Sequence, residues 1–161
     1  MKFSSSSFEL RTLLALAEGL DWDVGALEIR VAFLNADLDE ELDPTYLVNP
    51  PSLLTKLGLI PTKRLWKLKR VLYGLRSGPK RWGDKRDQEL RKATIMLTTE
   101  EWLTCHQGVV CKHLWLVKSG ERIVARFLVY VDDVIVTGPT EIVVKVLELL
   151  KASGIVRYQE S

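Results

Sequence analysis

Two apolar runs, Phe127–Tyr130 and Val134–Val136, are separated only by Val131 and the adjacent aspartates Asp132 and Asp133. Short runs rich in β-branched and aromatic residues read as strands, and a chain that reverses between them forms a hairpin. The segment therefore demands a sheet and places two anions where its interior is interrupted. Neighbouring carboxylates repel each other, and partial burial raises their pKa values unless a cation compensates, so a divalent metal is a natural partner. The same two residues read equally as a polar turn, because aspartate favours turns.

The rest of the chain supplies elements for such a sheet. Ser6 followed by Glu9 reads as a capping box opening a helix through Leu10, Leu13, Leu14 and Ala17, with Gly19 closing it. Trp22–Val31 reads as a short strand buried on both faces, with Glu28 set inside it. An acidic patch follows at Asp37, Asp39, Glu40, Glu41 and Asp43, and Pro44–Pro61, with Pro50, Pro51 and Gly58, predicts a surface excursion. Leu65–Leu72 reads as a strand ended by Gly74, and Ser77-Gly78-Pro79 prepares a helix over about Lys80–Lys92. Leu114–Val117 and Ile123–Tyr130 form a hairpin about Ser119-Gly120. Thr140 is expected to cap a last helix through Val143, Val146, Leu147 and Leu150 that ends at Gly154. This order predicts an α+β fold, an antiparallel sheet with helices packed on one face.

A length of 161 residues with 47% hydrophobic content suits one core. We divide the chain into a polar lead-in at 1–7 and a single domain at 8–161. The net charge of +2 says little, but Lys63–Arg86 holds ten basic residues against the single acid Asp84. Such a local positive field suits a phosphate backbone, and it reads as well as a solvated face over apolar core positions. Cys105, His106, Cys111 and His113 lie close together, but adjacent Cys105 and His106 cannot easily converge on one tetrahedral ion, which makes the cluster incidental. Two cysteines, no signal segment and no membrane-length apolar run predict an intracellular protein without a membrane partner.

Glu28 becomes informative if its strand lies beside the hairpin. Its carboxylate would then join Asp132 and Asp133 at one end of the sheet, a hard-oxygen donor set that suits magnesium bound together with substrate phosphates. Two such ions can clamp the attacking and leaving oxygens of a phosphoryl transfer. An ion pair with Arg30 or Arg126 is the alternative for Glu28.

Three segments carry a resemblance to a known family. Leu27-Glu28-Ile29-Arg30-Val31-Ala32-Phe33-Leu34-Asn35-Ala36-Asp37-Leu38 resembles the first polymerase motif of copia-type reverse transcriptases, usually Leu-Asp-Val-Lys-Thr-Ala-Phe-Leu-Asn-Gly. Leu68-Lys69-Arg70-Val71-Leu72-Tyr73-Gly74-Leu75-Arg76-Ser77-Gly78-Pro79-Lys80-Arg81-Trp82 is similar to the second, and Tyr130-Val131-Asp132-Asp133 to the third. The motifs stand in the family's order, and the likeness runs roughly from Leu13 to Gly138.

The resemblance implies a polymerase palm-like sheet with fingers and thumb incomplete, truncated at both ends relative to the family. It implies an RNA-directed DNA polymerase that transfers nucleotides onto a primer 3′-hydroxyl with two magnesium ions, for which manganese can substitute. Asp132, Asp133 and Glu28 would be the catalytic carboxylates, with the Ile29 backbone carbonyl as a further metal ligand. Phe33 would sit under the incoming sugar and exclude a 2′-hydroxyl, although it reads also as a core aromatic. Tyr73 and Gly74 would line the nucleotide, and Tyr130, Arg76, Pro79, Lys80 and Arg81 would support primer and template. The implied partners are an RNA or DNA template with primer, deoxynucleoside triphosphates and the remainder of a retrotransposon polyprotein. Family members carry aspartate at the position of Glu28, and one methylene moves the carboxylate by about 1 Å, a shift that can cost about 10²-fold in rate. The alternative is an inactive retrotransposon remnant with at most non-specific nucleic-acid binding.

Overall fold

The computed structural model describes residues 7–41, 43–61 and 64–153. Ser6 and Gly154, the expected helix cap and terminator, and Lys63 of the basic stretch lie outside them. Helix α1 spans Ser7–Gly19, and strand β1 follows at Asp23–Glu28. A 3-10 turn at Ala32–Asn35 leads into the excursion, which holds only β2 (Leu47–Val48), α2 (Ser52–Lys56) and β3 (Trp66–Lys67). Helix α3 spans Gly78–Lys92 with Pro79 in its first turn. Strands β4 (Thr94–Met96), β5 (Trp102–Gln107), β6 (Leu114–Ser119), β7 (Arg122–Val129) and β8 (Asp133–Gly138) precede α4 (Thr140–Ala152).

Six of these strands form one antiparallel sheet in the order β1-β8-β7-β6-β5-β4, while β2 and β3 pair separately. Side chains alternate across a strand, so β7 sends Phe127 and Val129 to one face and Leu128 to the other. On the first face lie Trp82 and Leu90 of α3 and Val143, Val146 and Leu150 of α4, packed with Phe127, Val129, Val134 and Val136. On the second face Leu13 of α1 packs with Leu128 and Ile135. The expectation of helices on one face is thus corrected. It holds for α3 and α4, but the buried Leu13 and Ala17 give α1 an apolar stripe that covers part of the other face.

Three strand expectations also change. The segment read as buried on both faces is an edge strand, because β1 pairs only with β8. Its Gly25 meets Val143 and Leu147 of α4, while Val24, Ala26 and Glu28 are exposed. It ends at Glu28, and Val31 turns left-handed at φ 48° and ψ 41°, a conformation that is strained for a β-branched side chain. Leu65–Leu72 contributes only Trp66–Lys67 as strand, and the rest docks through the isolated Asp37–Arg70 bridge and the Leu68 N–H bond to the Tyr46 carbonyl. Strands β4 and β5 were not anticipated, since one is three residues long and the other, Trp-Leu-Thr-Cys-His-Gln, lacks a β-branched run. Nor does Thr140 cap α4. Pro139 holds that position, and the Thr140 hydroxyl bonds the Asp23 carboxylate of β1 instead.

Gly138 marks the closest approach inside the sheet. A Cβ there would lie 2.7 Å from the Ala125 Cβ and 3.3 Å from its Cα, atoms that cannot swing aside. We expect Gly138→Ala to lower stability by about 1–3 kcal/mol in urea denaturation. Gly19→Ala, where nothing lies within 4 Å, should stay within about 0.5 kcal/mol of the parent.

Candidate functional site

The β1–β8 register sets Glu28 directly opposite Asp133. Directly opposed residues share a sheet face, so the two carboxylates lie on the same side, next to Asp132 in the turn. The turn is pinned from three directions. Tyr130 N–H donates to the Asp133 carbonyl at 2.8 Å, Ile29 N–H to the Asp132 carbonyl at 2.6 Å, and the Trp82 indole N–H of α3 to the Val131 carbonyl at 2.6 Å. Ile29 buries its side chain in the core and meets the turn through its backbone.

Like charges crowd this end of the sheet. Burial, then the Asp132 charge, then that of Glu28 push the Asp133 carboxyl above its usual range. The Tyr73 phenol is also raised, first by burial and then by Asp132, with Glu28 adding a smaller push against the Ala32 backbone bond. Tyr73 therefore stands beside the carboxylates, and its ring lies 4.6 Å from that of Phe33 at 58°. Gly74 follows at φ +96°, a conformation that glycine adopts without strain. The structure brings Glu28, Phe33, Tyr73, Asp132 and Asp133 to one end of the sheet. Among the described residues, however, no three acidic, histidine or cysteine side chains stand close enough to hold a metal ion as they are.

Tyr130 lies on the face of α1, packed beside Leu128, and its ring stacks on His113 at 5.5 Å. Arg76, Pro79 and Lys80 are exposed at the entrance to α3, and Arg76 and Lys80 make no ion pair among the described residues. Arg81 differs from them. It pairs with Asp43 at 3.0 Å and more loosely with Asp39 at 3.9 Å. The acidic patch takes up other cations of the expected positive field as well: Lys67 pairs with Glu40 at 2.8 Å, and both Arg70 and Lys85 approach Asp37 at 3.7 Å. Arg86 turns to Asp87 at 2.6 Å. Five bases of the stretch, Lys67, Arg70, Arg81, Lys85 and Arg86, thus stand against acids of the fold.

The cysteine–histidine cluster is split by the pleat of β5. Cys105 faces the core, where burial pushes its thiol up to about 12, and the exposed His106 bonds the Thr104 hydroxyl at 2.8 Å. Trp82 is the positioning residue that the sequence reading left without a role. Its signal was present as the tryptophan ending the second motif.

Comparison with known proteins bears on this arrangement. A family model described as reverse transcriptase (RNA-dependent DNA polymerase) matches residues 5–155. The chain belongs to that family. It is 30% identical over 130 residues to the retrovirus-related Pol polyprotein from transposon TNT 1-94 of Nicotiana tabacum, covering 80% of the chain and 8% of the relative. The corresponding polyprotein from transposon RE2 of Arabidopsis thaliana is 28% identical over 142 residues, 86% of the chain and 8% of the relative. That from transposon RE1 of the same plant is 29% identical over 132 residues, 82% of the chain and again 8% of the relative. This copia-type reverse transcriptase region thus spans about 8% of the length of these polyproteins. No solved structure gives a significant match. Among its described residues no helix is long and apolar enough to cross a membrane.

Two expectations follow for this reverse transcriptase region. Because folding raises the Asp133 pKa, the native state holds its proton more tightly than the unfolded chain, and stability falls as pH rises from the ordinary value of 3.8 through the raised one. Asp133→Asn should therefore be stabilising at neutral pH, and the gain should disappear below the ordinary value in pH-dependent urea melts. Trp82→Phe keeps an aromatic ring but removes the donor to Val131, and should cost about 1–2 kcal/mol by the same method.

Proposed function

We propose that this region carries the nucleotidyl-transfer centre of an RNA-directed DNA polymerase, acting within a longer retrotransposon polyprotein. The observation that carries this reading is Glu28 opposite Asp133, beside Asp132, at the open end of the sheet. Three hard-oxygen donors whose charges repel fit divalent magnesium or manganese in chemistry, although their side chains do not yet converge. When bound, such ions would lower the charge on the triphosphate and on the primer oxygen.

The chain's own groups supply position. Phe33 and Tyr73 form a ring wall against which the deoxyribose would rest, and Gly74 lets the backbone pass close to the base pair. Tyr130 with the exposed Arg76, Pro79 and Lys80 would hold primer and template, contacts that orient a duplex without reading its sequence. Arg81 takes another role in this reading, anchoring the acidic loop to α3. The primer 3′-oxygen would attack the α-phosphate of a deoxynucleoside triphosphate, with pyrophosphate leaving in line. Glu28 places its carboxylate farther from β1 than an aspartate would. That length, with the unconverged carboxylates, favours a second reading, an inactive remnant that retains only weak nucleic-acid binding.

Primer extension on a poly(rA)/oligo(dT) substrate separates the two. The polymerase reading expects slow extension by the parent, a gain of up to about 10²-fold from Glu28→Asp, and loss in the Asp132→Asn, Asp133→Asn double variant. Equal extension by the parent and the double variant would sink it. Binding of the same duplex tests the surface: Arg76→Glu with Lys80→Glu should reduce the salt slope by about 2, whereas reversing the already paired Lys67 should change it little.

A further inference from the structure

The surface beside α1 carries a feature that polymerase chemistry does not use. Phe8, Thr12 and Leu16 recur every four residues along one face of α1, with Phe8 78% and Leu16 44% exposed. Residues at this spacing lie one above the other. They form one wall of a groove of about 160 Å³, whose other wall is Leu114, Arg126 and Leu128 of β6 and β7.

Two charges line this groove without meeting. The Arg126 guanidinium lies over the Trp22 ring, 5.1 Å from its centroid, and its Nη1 is buried without a hydrogen-bond partner. Stacking uses the flat face of a guanidinium and leaves its N–H edges to be satisfied. Glu9 lines the same groove, yet forms no ion pair with Arg126 or with any other described residue. A buried donor left open is unfavourable, so an occupant bringing a carboxylate together with an apolar helical stripe would be bound well. The surface of α1 itself has that composition.

We propose that α1 and the adjoining β6–β7 surface form a two-fold interface between two copies of this chain. In an isologous contact each residue meets its counterpart twice, so the patch must complement itself. Two α1 helices packed antiparallel about an axis near Thr12 set each Phe8 against the other copy's Leu16, and Thr12 is small enough for close approach. The same operation carries Glu9 of each copy to the groove of the other, where it pairs with Arg126. Both charges, which form no ion pair among the described residues of one chain, are then paired.

Sedimentation equilibrium of the 161-residue chain over the micromolar range tests this directly, with far-UV circular dichroism and thermal unfolding to certify each variant. The parent should show a concentration-dependent monomer–dimer equilibrium. Glu9→Arg and Arg126→Glu should each weaken dimerisation about tenfold or more. Their equimolar mixture should restore it, since that heterodimer regains both opposite-charge pairs. Should Arg126→Glu unfold, Thr12→Arg at the axis of an exposed helix face replaces it and should be monomeric. A parent that stays monomeric throughout the range, a mixture of folded variants that does not recover, or a Thr12→Arg variant that dimerises as the parent does would each overturn the proposal.

Discussion

The antiparallel pairing of β1 with β8 is the constraint on which the candidate site depends. Side chains alternate along a strand, so a slip of one residue would move Glu28 out of step with Asp133 and reverse the face of every β1 side chain. The register is held although β1 is an edge strand. Gly25 leaves no room for a side chain beneath Val143 and Leu147, so α4 sits directly on the strand. The Thr140–Asp23 bond ties the start of that helix to the start of β1, and the Ile29–Asp132 bond ties the far end of the strand to the turn. An edge strand fixed at both ends and in the middle can carry a positioned carboxylate.

The distribution of paired and unpaired charge points the same way. In sequence, the acids of 37–43 and the bases of 63–86 are separate blocks. In the fold they zip together through Asp37, Glu40 and Asp43, with the Asp43 side chain only 5% exposed against Arg81. Individual exposed pairs of this kind contribute little, typically about 0–1 kcal/mol. Their larger effect is to neutralise these cations where they stand, since Lys67 and Arg70 stay 46% exposed. At the end of the sheet the opposite holds, where burial and the charges of Asp132 and Glu28 raise the Asp133 carboxyl and the Tyr73 phenol, and no basic side chain among the described residues forms an ion pair with these carboxylates. The acids of the 37–43 loop are matched by bases of α3 and its approach, whereas among the described residues this group has no such partner, an electrostatic condition that a bound cation would relieve.

Much of this was legible in the sequence, and the exceptions have physical causes. The hairpin about Ser119-Gly120, the return at Asp132-Asp133 and the start of α3 at Pro79 follow from turn chemistry and strand composition, which act locally. The meeting of Glu28 with Asp133 was conditional on strand adjacency, a long-range fact that periodicity does not encode. Strands β4 and β5 escaped because their pairing partners, not their own residues, make them strands. The pairing of the basic stretch with the acids of 37–43 was hidden for the same reason, since charge counted along a chain ignores the acids that fold against it. Trp82 read as part of a motif, but only the hydrogen bond to Val131 gives it a task.

The placement of α1 connects these points. By strand alternation, Glu28, Tyr130 and Asp133 look toward the face that α1 partly covers through Leu128 and Ile135. A duplex bound to this face would therefore reach the carboxylates from the open end of the sheet, between the Phe33–Tyr73 ring wall and the His113–Tyr130 stack. Both ring pairs flank the same turn, and the turn is pinned by β1 and by α3 rather than by α1. The geometry of the carboxylates is thus independent of how α1 is covered. A partner seated on α1 would change access along the face while leaving the β1–β8 register, and the charge it concentrates, intact.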